Sequence, residues 1–143
     1  MRKSRGWITK KGDSQMKKFT LLAAFAGLAL ITACASDDPT GPAKVGDSGM
    51  GKVLTDAKGM TLYTFDRDAA GKSNCNGQCA TNWPPLMASA SASATGDWTV
   101  VTRDDGSKMW AYKGKPLYTW IKDSKAGDTT GDGVNNVWHV AKP

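Results

Sequence analysis

The residue types best suited to chemistry occur twice in one pattern, Tyr-x-aromatic-x-x-Asp: Tyr63, Phe65 and Asp68, then Tyr118, Trp120 and Asp123. On a strand the two aromatics of each copy share one face. They then make a wide apolar plate with a phenol at one end. If the plates are buried they form a core, and each Asp caps the loop that follows it. If they are exposed they form a platform for a small ligand such as a sugar, with Asp68 and Asp123 as polar contacts. Acid/base chemistry between two carboxylates needs a defined separation, which spacing alone does not give. The structural reading is taken here, with the ligand platform as the alternative. No catalytic constellation emerges, so the chain reads as a non-enzyme.

The compartment decides how the cysteines read. Lys17-Lys18 followed by the apolar run Phe19 to Ile31 has the form of a secretory signal, with Met16 the expected start and residues 1–15 upstream of it. The run is too short to span a bilayer, which takes about 20 apolar residues. Ile31-Thr32-Ala33-Cys34 resembles a lipobox, so Cys34 is the expected lipidation site. Several acyl chains would make the attachment effectively permanent. With Ala35 after the cysteine, the outer membrane is the expected site if the cell has one, facing periplasm or surface. The whole chain carries a net charge of +6, but seven of its Lys/Arg and one of its acids precede Cys34, leaving twelve of each beyond. A neutral mature chain has no field for phosphates, so nucleic acid is not an expected partner. The membrane, reached through the lipid, is.

In an oxidising compartment Cys75 and Cys79 read as a disulfide. A helical turn would set their Cα atoms about 6 Å apart, within bonding range. Redox activity is the alternative, but the spacing is not Cys-x-x-Cys and no basic residue flanks the pair. His139, the single histidine, reads as packed or surface-exposed; joining it with Met50, Met60, Met87 and Met109 in a soft copper site has no spacing to support it. The stretch 127–136 is dense in oxygen ligands but lacks the calcium-loop order, so it reads as a glycine-rich Asx-turn loop. No metal and no cofactor is expected.

The positioning elements follow from a duplication. Gly51, Gly59, Leu62, Tyr63, Phe65, Asp68 and Trp83 return at a constant offset of 55 as Gly106, Gly114, Leu117, Tyr118, Trp120, Asp123 and Trp138. Val53–Thr55 and Met60–Phe65 flank the turn cluster Asp56-Ala57-Lys58-Gly59, which predicts a hairpin. Trp98–Arg103, Lys108–Tyr112 and Leu117–Ile121 are separated by Asp104-Asp105-Gly106 and Lys113-Gly114-Lys115-Pro116, which predicts two more turns. Val137–Val140 is the last strand. The alternating Ala/Ser run 88–94 should loop out between the copies.

Leu-Tyr-x-(Phe/Trp)-x-x-Asp, the Cys-x-x-x-Cys segment leading to Trp83-Pro84-Pro85-Leu86, and a Gly-Asp-x-x-Gly run ending in Trp138-His139-Val140 occur in that order over residues 50 to 142. The set resembles the bacterial lipoproteins with a repeated Tyr-x-(Phe/Trp/Tyr)-x-x-Asp motif, secreted repeats of unknown function. The resemblance implies an exported, repeat-built protein and no assigned activity. The expected fold is mostly β: one small domain of antiparallel hairpins in a meander, with an irregular disulfide-bearing segment. The expected divisions are a leader over 1–33, a flexible tether over 34–50, and a two-repeat domain over 51–143, split at 51–105 and 106–143.

Overall fold

The computed structural model describes residues 41–143, so the leader and Cys34 lie outside the described residues. Strand β1 (Lys44–Ser48) pairs antiparallel with β2 (Gly51–Thr55), and β3 (Tyr63–Phe65) follows. A short helix, α1 (Gln78–Asn82), precedes the antiparallel sheet of β4 (Trp98–Thr102), β5 (Lys108–Tyr112) and β6 (Lys115–Pro116). Strand β7 (Trp138–Val140) returns across the sequence to pair antiparallel with β3. The class is mostly antiparallel β, as the sequence predicts.

The two copies keep their offset by compensating changes in their turns. Gly49-Met50 closes the first hairpin, whereas Asp104-Asp105-Gly106 closes the second, where the Arg103 amide donates to the Ser107 carbonyl. The next turn reverses this: Ala57-Lys58-Gly59 in the first copy, Lys113-Gly114 in the second. Lys113 and Gly114 both sit at positive φ, 49° and 82°, as a two-residue turn between twisted strands demands. The residue gained in one turn is lost in the next, so Leu117 again lies 55 beyond Leu62.

Alternation along β3 divides the motif between two apolar clusters. Leu62 and Leu117 are buried with Ala43, Leu54, Trp98 and Ala141. Tyr63 and Tyr118 face the other way, into a cluster with Val53, Trp83, Val101, Met109 and Trp138. Fully burying side chains of this size is worth about 1.5–3 kcal/mol each, so both faces of the motif strand contribute to stability.

Three expectations need correction. The segment 34–50 is not all tether, because Lys44–Ser48 forms β1. It looks unstructured in sequence because it is an exposed edge strand, held by backbone pairing rather than by apolar side chains. Gly46 is required there by contact: a Cβ would come within 2.6 Å of the Thr55 methyl. Leu117–Ile121 is not a continuous strand; Tyr118 instead makes single bridges to both Tyr63 and Pro85. Asp68 and Gly71 stand at the first and fourth positions of a type I turn in the sequence, but the turn spans Ala69 to Lys72, because the Gly71 amide donates to the Gly114 carbonyl instead of closing on Asp68. The Ala/Ser run is largely exposed and without helix, as expected of a connecting loop.

Candidate functional site

The motif residues meet at the seam between the copies, and they meet crosswise. Tyr63 and Tyr118 exchange both backbone hydrogen bonds, at 2.8 and 3.0 Å. Outward from that point the pattern repeats in both directions. The Asp66 amide donates to Val137 and the Ile121 amide to Asn82; the Ala141 amide donates to Leu62 and the Leu86 amide to Leu117. Each partner in one pair is 55 residues from its counterpart in the other. Thus each motif strand is completed by the tryptophan-bearing segment of the opposite copy.

The side chains cross in the same way. The Tyr63 hydroxyl donates to Asp123 Oδ2 at 2.6 Å, and the Tyr118 hydroxyl donates to Asp68 Oδ2 at 2.7 Å. Each carboxylate uses its other oxygen to hold its own loop. Asp68 Oδ1 accepts the Asn74 amide, and Asp123 Oδ1 accepts the Thr130 amide and hydroxyl. The capping role expected of the aspartates is therefore present, but half of each carboxylate serves the other repeat. Burial pushes both phenols well above the ordinary tyrosine range, and the neighbouring carboxylates, Asp123 for Tyr63 and Asp68 for Tyr118, add to that. Burial also raises the Asp68 carboxyl, against the stabilising Asn74 amide and Tyr118 hydroxyl.

Between the two tyrosines runs a column of four stacked rings, Phe65–Trp138–Trp83–Trp120, with centroid separations of 4.3, 3.8 and 3.9 Å. The central pair is nearly parallel, at 5°. Tyr63 meets Trp83 edge-on at 5.4 Å and Tyr118 meets Trp138 edge-on at 5.2 Å. Stacked and edge-on pairs of this kind add about 0.5–1.5 kcal/mol each beyond area burial. Trp83 and Trp138 are buried; Phe65 and Trp120 are the half-buried ends. Gly131 lies against the column, where a Cβ would come within 2.9 Å of Trp83 and Tyr63 ring atoms. The tryptophans share the motif's 55-residue offset, and that is the signal that joins them to the site. Nothing in their spacing reveals the stack.

Arg103 is the residue that sequence reasoning missed. It is buried at 6% exposure at the end of β4, and its guanidinium closes the first loop. Nη1 donates to the Ser73 hydroxyl at 3.0 Å and Nη2 to the Cys75 carbonyl at 2.9 Å. Ser73 in turn contacts the Tyr118 hydroxyl at 2.7 Å. A buried guanidinium is tolerable because its donors are matched to fixed acceptors. No buried side-chain nitrogen or oxygen lacks a partner among the described residues. Cys75 and Cys79 form a disulfide in the same loop, with Cα atoms 5.2 Å apart, and Cys79 packs against the column cluster.

The remaining candidates take up local roles. His139 is exposed and its Nε2 lies 2.8 Å from Asp66 Oδ2. Met109 is buried beside Arg103, while Met50 and Met87 are exposed. In the acidic loop, Asp128 accepts the preceding Ser124 and Lys125 amides and Asp132 accepts the Val140 amide of β7, so these carboxylates hold the loop through more distant amides and not through the expected Asx turns. The Lys125 ammonium and the Ser124 and Lys125 amides hold the Asp128 carboxyl below the usual range. Among the described residues no group of three or more His, Cys, Asp or Glu is placed to hold a metal ion.

The model of the secreted repeat of unknown function matches twice, over residues 44–87 and 99–142. The chain belongs to that family. Each matched copy starts one strand earlier than the sequence boundaries at 51 and 106, with its hairpin's first strand. The family is one of secreted proteins, and among the described residues no helix is long and apolar enough to cross a membrane. No curated protein and no solved structure matches the chain.

Proposed function

We propose that this secreted repeat protein is a lipid-anchored module of the cell envelope that acts without catalysis, by packing and by interaction. The observation that carries this reading is where the motif's polar atoms go. The hydroxyls of Tyr63 and Tyr118 and the carboxylates of Asp68 and Asp123 are engaged with one another and with their loops. A site for general acid/base chemistry needs such groups free to reach a substrate. The anchor rests on Ile31-Thr32-Ala33-Cys34. The intact mass of the mature protein should start at Cys34 with added acyl mass, and Cys34→Ala should move the protein to the soluble fraction. A wild-type mature terminus elsewhere removes the anchor from the proposal.

A second reading, binding of a small ligand such as a carbohydrate, is favoured by one feature. The edge of the column borders a cavity of about 520 Å³ lined by Phe65, Trp83 and Trp138 together with Arg67, Asn82 and Asn135. Aromatic rings beside amides and a guanidinium suit a sugar. Saturable quenching or shift of tryptophan emission by oligosaccharides, lost in Phe65→Ala and Arg67→Ala with the fold intact, would establish this reading. A flat titration would end it.

A further inference from the structure

The column has a property that packing alone does not require. Its four rings touch without interruption, and an oxidisable indole, Trp120, stands half-exposed at one end. The path then leads through two buried indoles to a phenol whose proton already points at a carboxylate. Electrons move readily between aromatic rings in van der Waals contact, and a phenol gives up an electron far more easily when its proton has an acceptor in hydrogen-bond contact. We propose that the column is a relay for oxidising equivalents, carrying a hole from Trp120 through Trp83 and Trp138 to Tyr118, with Asp68 taking the phenolic proton.

A one-electron oxidant, such as an oxygen-derived radical, takes an electron from Trp120. Trp83 refills Trp120, Trp138 refills Trp83, and Tyr118 refills Trp138. The Tyr118 O–H bond breaks as an O–H bond forms on Asp68 Oδ2. The products are the reduced oxidant, a neutral tyrosyl radical and a protonated Asp68. A one-electron reductant of the phenol or thiol class returns the electron, and the proton moves back from Asp68.

Charges around the path favour inward travel. The Lys122 ammonium lies 5.5 Å from the Trp120 ring and disfavours a cation there. At the far end Arg103, acting through Ser73, disfavours a positive phenol, so the proton leaves together with the electron. Both carboxylates have both oxygens engaged, but Asp68 is half-buried and can pass its proton to solvent, whereas Asp123 is buried. Tyr118 is therefore the terminus rather than Tyr63. The other aromatic group, Trp98, Trp110 and Tyr112, is tilted or edge-on, and no carboxylate accepts the Tyr112 hydroxyl among the described residues.

The test is flash-quench oxidation of the full chain with photogenerated tris(bipyridyl)ruthenium(III), following the tryptophan and tyrosyl radical absorptions. A tryptophan radical should decay into a tyrosyl radical, with a slower rise in D2O. Tyr118→Phe should lower the tyrosyl yield several-fold, Tyr112→Phe should leave it unchanged, and Trp138→Phe should slow its rise. Near-UV circular dichroism verifies that each variant is folded; if Trp138→Phe is not, the two tyrosine variants decide. Tyrosyl yield that survives Tyr118→Phe, or that disappears with Tyr112→Phe, overturns the relay and leaves the column as packing.

Discussion

The two loops that follow the motif aspartates begin from the same chemistry and are closed by different means. Asp68 and Asp123 each accept a backbone amide from their own loop and a tyrosine hydroxyl from the other copy. Beyond that the loops part. The first is closed by the Cys75–Cys79 disulfide and by Arg103 reaching in from β4. The second has neither. It is held by Thr130 on Asp123, by Asp128 turning back on Ser124 and Lys125, and by the Thr61 hydroxyl donating to the Asp128 carbonyl. What the repeat keeps is the part that touches the other copy, because a change there must be matched across the seam. What it lets vary is the closure of each loop, since any set of satisfied hydrogen bonds or a covalent link can hold it.

The largest test of this contrast bears on the shared part. Trp83→Ala and Trp138→Ala each remove a central ring of the column and should cost about 3–5 kcal/mol. Urea melts should show equal losses for the two, since the seam treats them as equivalents. A loss in one only would break the equivalence. Next comes the first loop's own closure. Arg103→Leu leaves the Cys75 carbonyl and the Ser73 hydroxyl without their charged donor and should cost about 3 kcal/mol. Thr130→Val, its nearest functional counterpart in the second loop, should cost only about 1 kcal/mol. Equal effects would show that the two closures carry the same weight.

The disulfide closes a short loop, so chain entropy assigns it a contribution of about 2 kcal/mol. Cys75→Ser with Cys79→Ser should lower the melting temperature accordingly and raise amide exchange near Ala69–Asn82 while sparing 124–133. Uniform loosening of both loops would contradict the division. The last test is in alkali. Folded Tyr63 and Tyr118 hold their protons above the ordinary tyrosine range. Above about pH 10 the folded state therefore binds more protons than the unfolded chain, and stability falls by about 1.4 kcal/mol per pH unit for each tyrosine. Tyr63→Phe and Tyr118→Phe should each make that slope shallower, by equal amounts if the crossed pairs are equivalent.

Much of the architecture is legible in the amino-acid sequence alone. The offset of 55 comes from residues whose types are constrained one by one: glycines where φ is positive, as at Gly59 (84°) and Gly114 (82°), and aromatics that fill a core. The strand class follows from alternation and turn residues, and the Cys75–Cys79 bond from a close pair in an exported chain. Edge strand β1 escapes such reading because its pairing uses backbone atoms, which every residue carries alike. The tertiary structure alone decides which tyrosine meets which aspartate. Those partners stand 60 and 50 residues apart. A bond within one copy would fit the motif's spacing as well as a bond across copies. It decides too that four rings stack and that Arg103 is buried, since stacking and desolvation depend on where distant segments come to rest. Local sequence limits what a segment can pair with; only the closed chain, with every buried polar group needing a partner, determines with which.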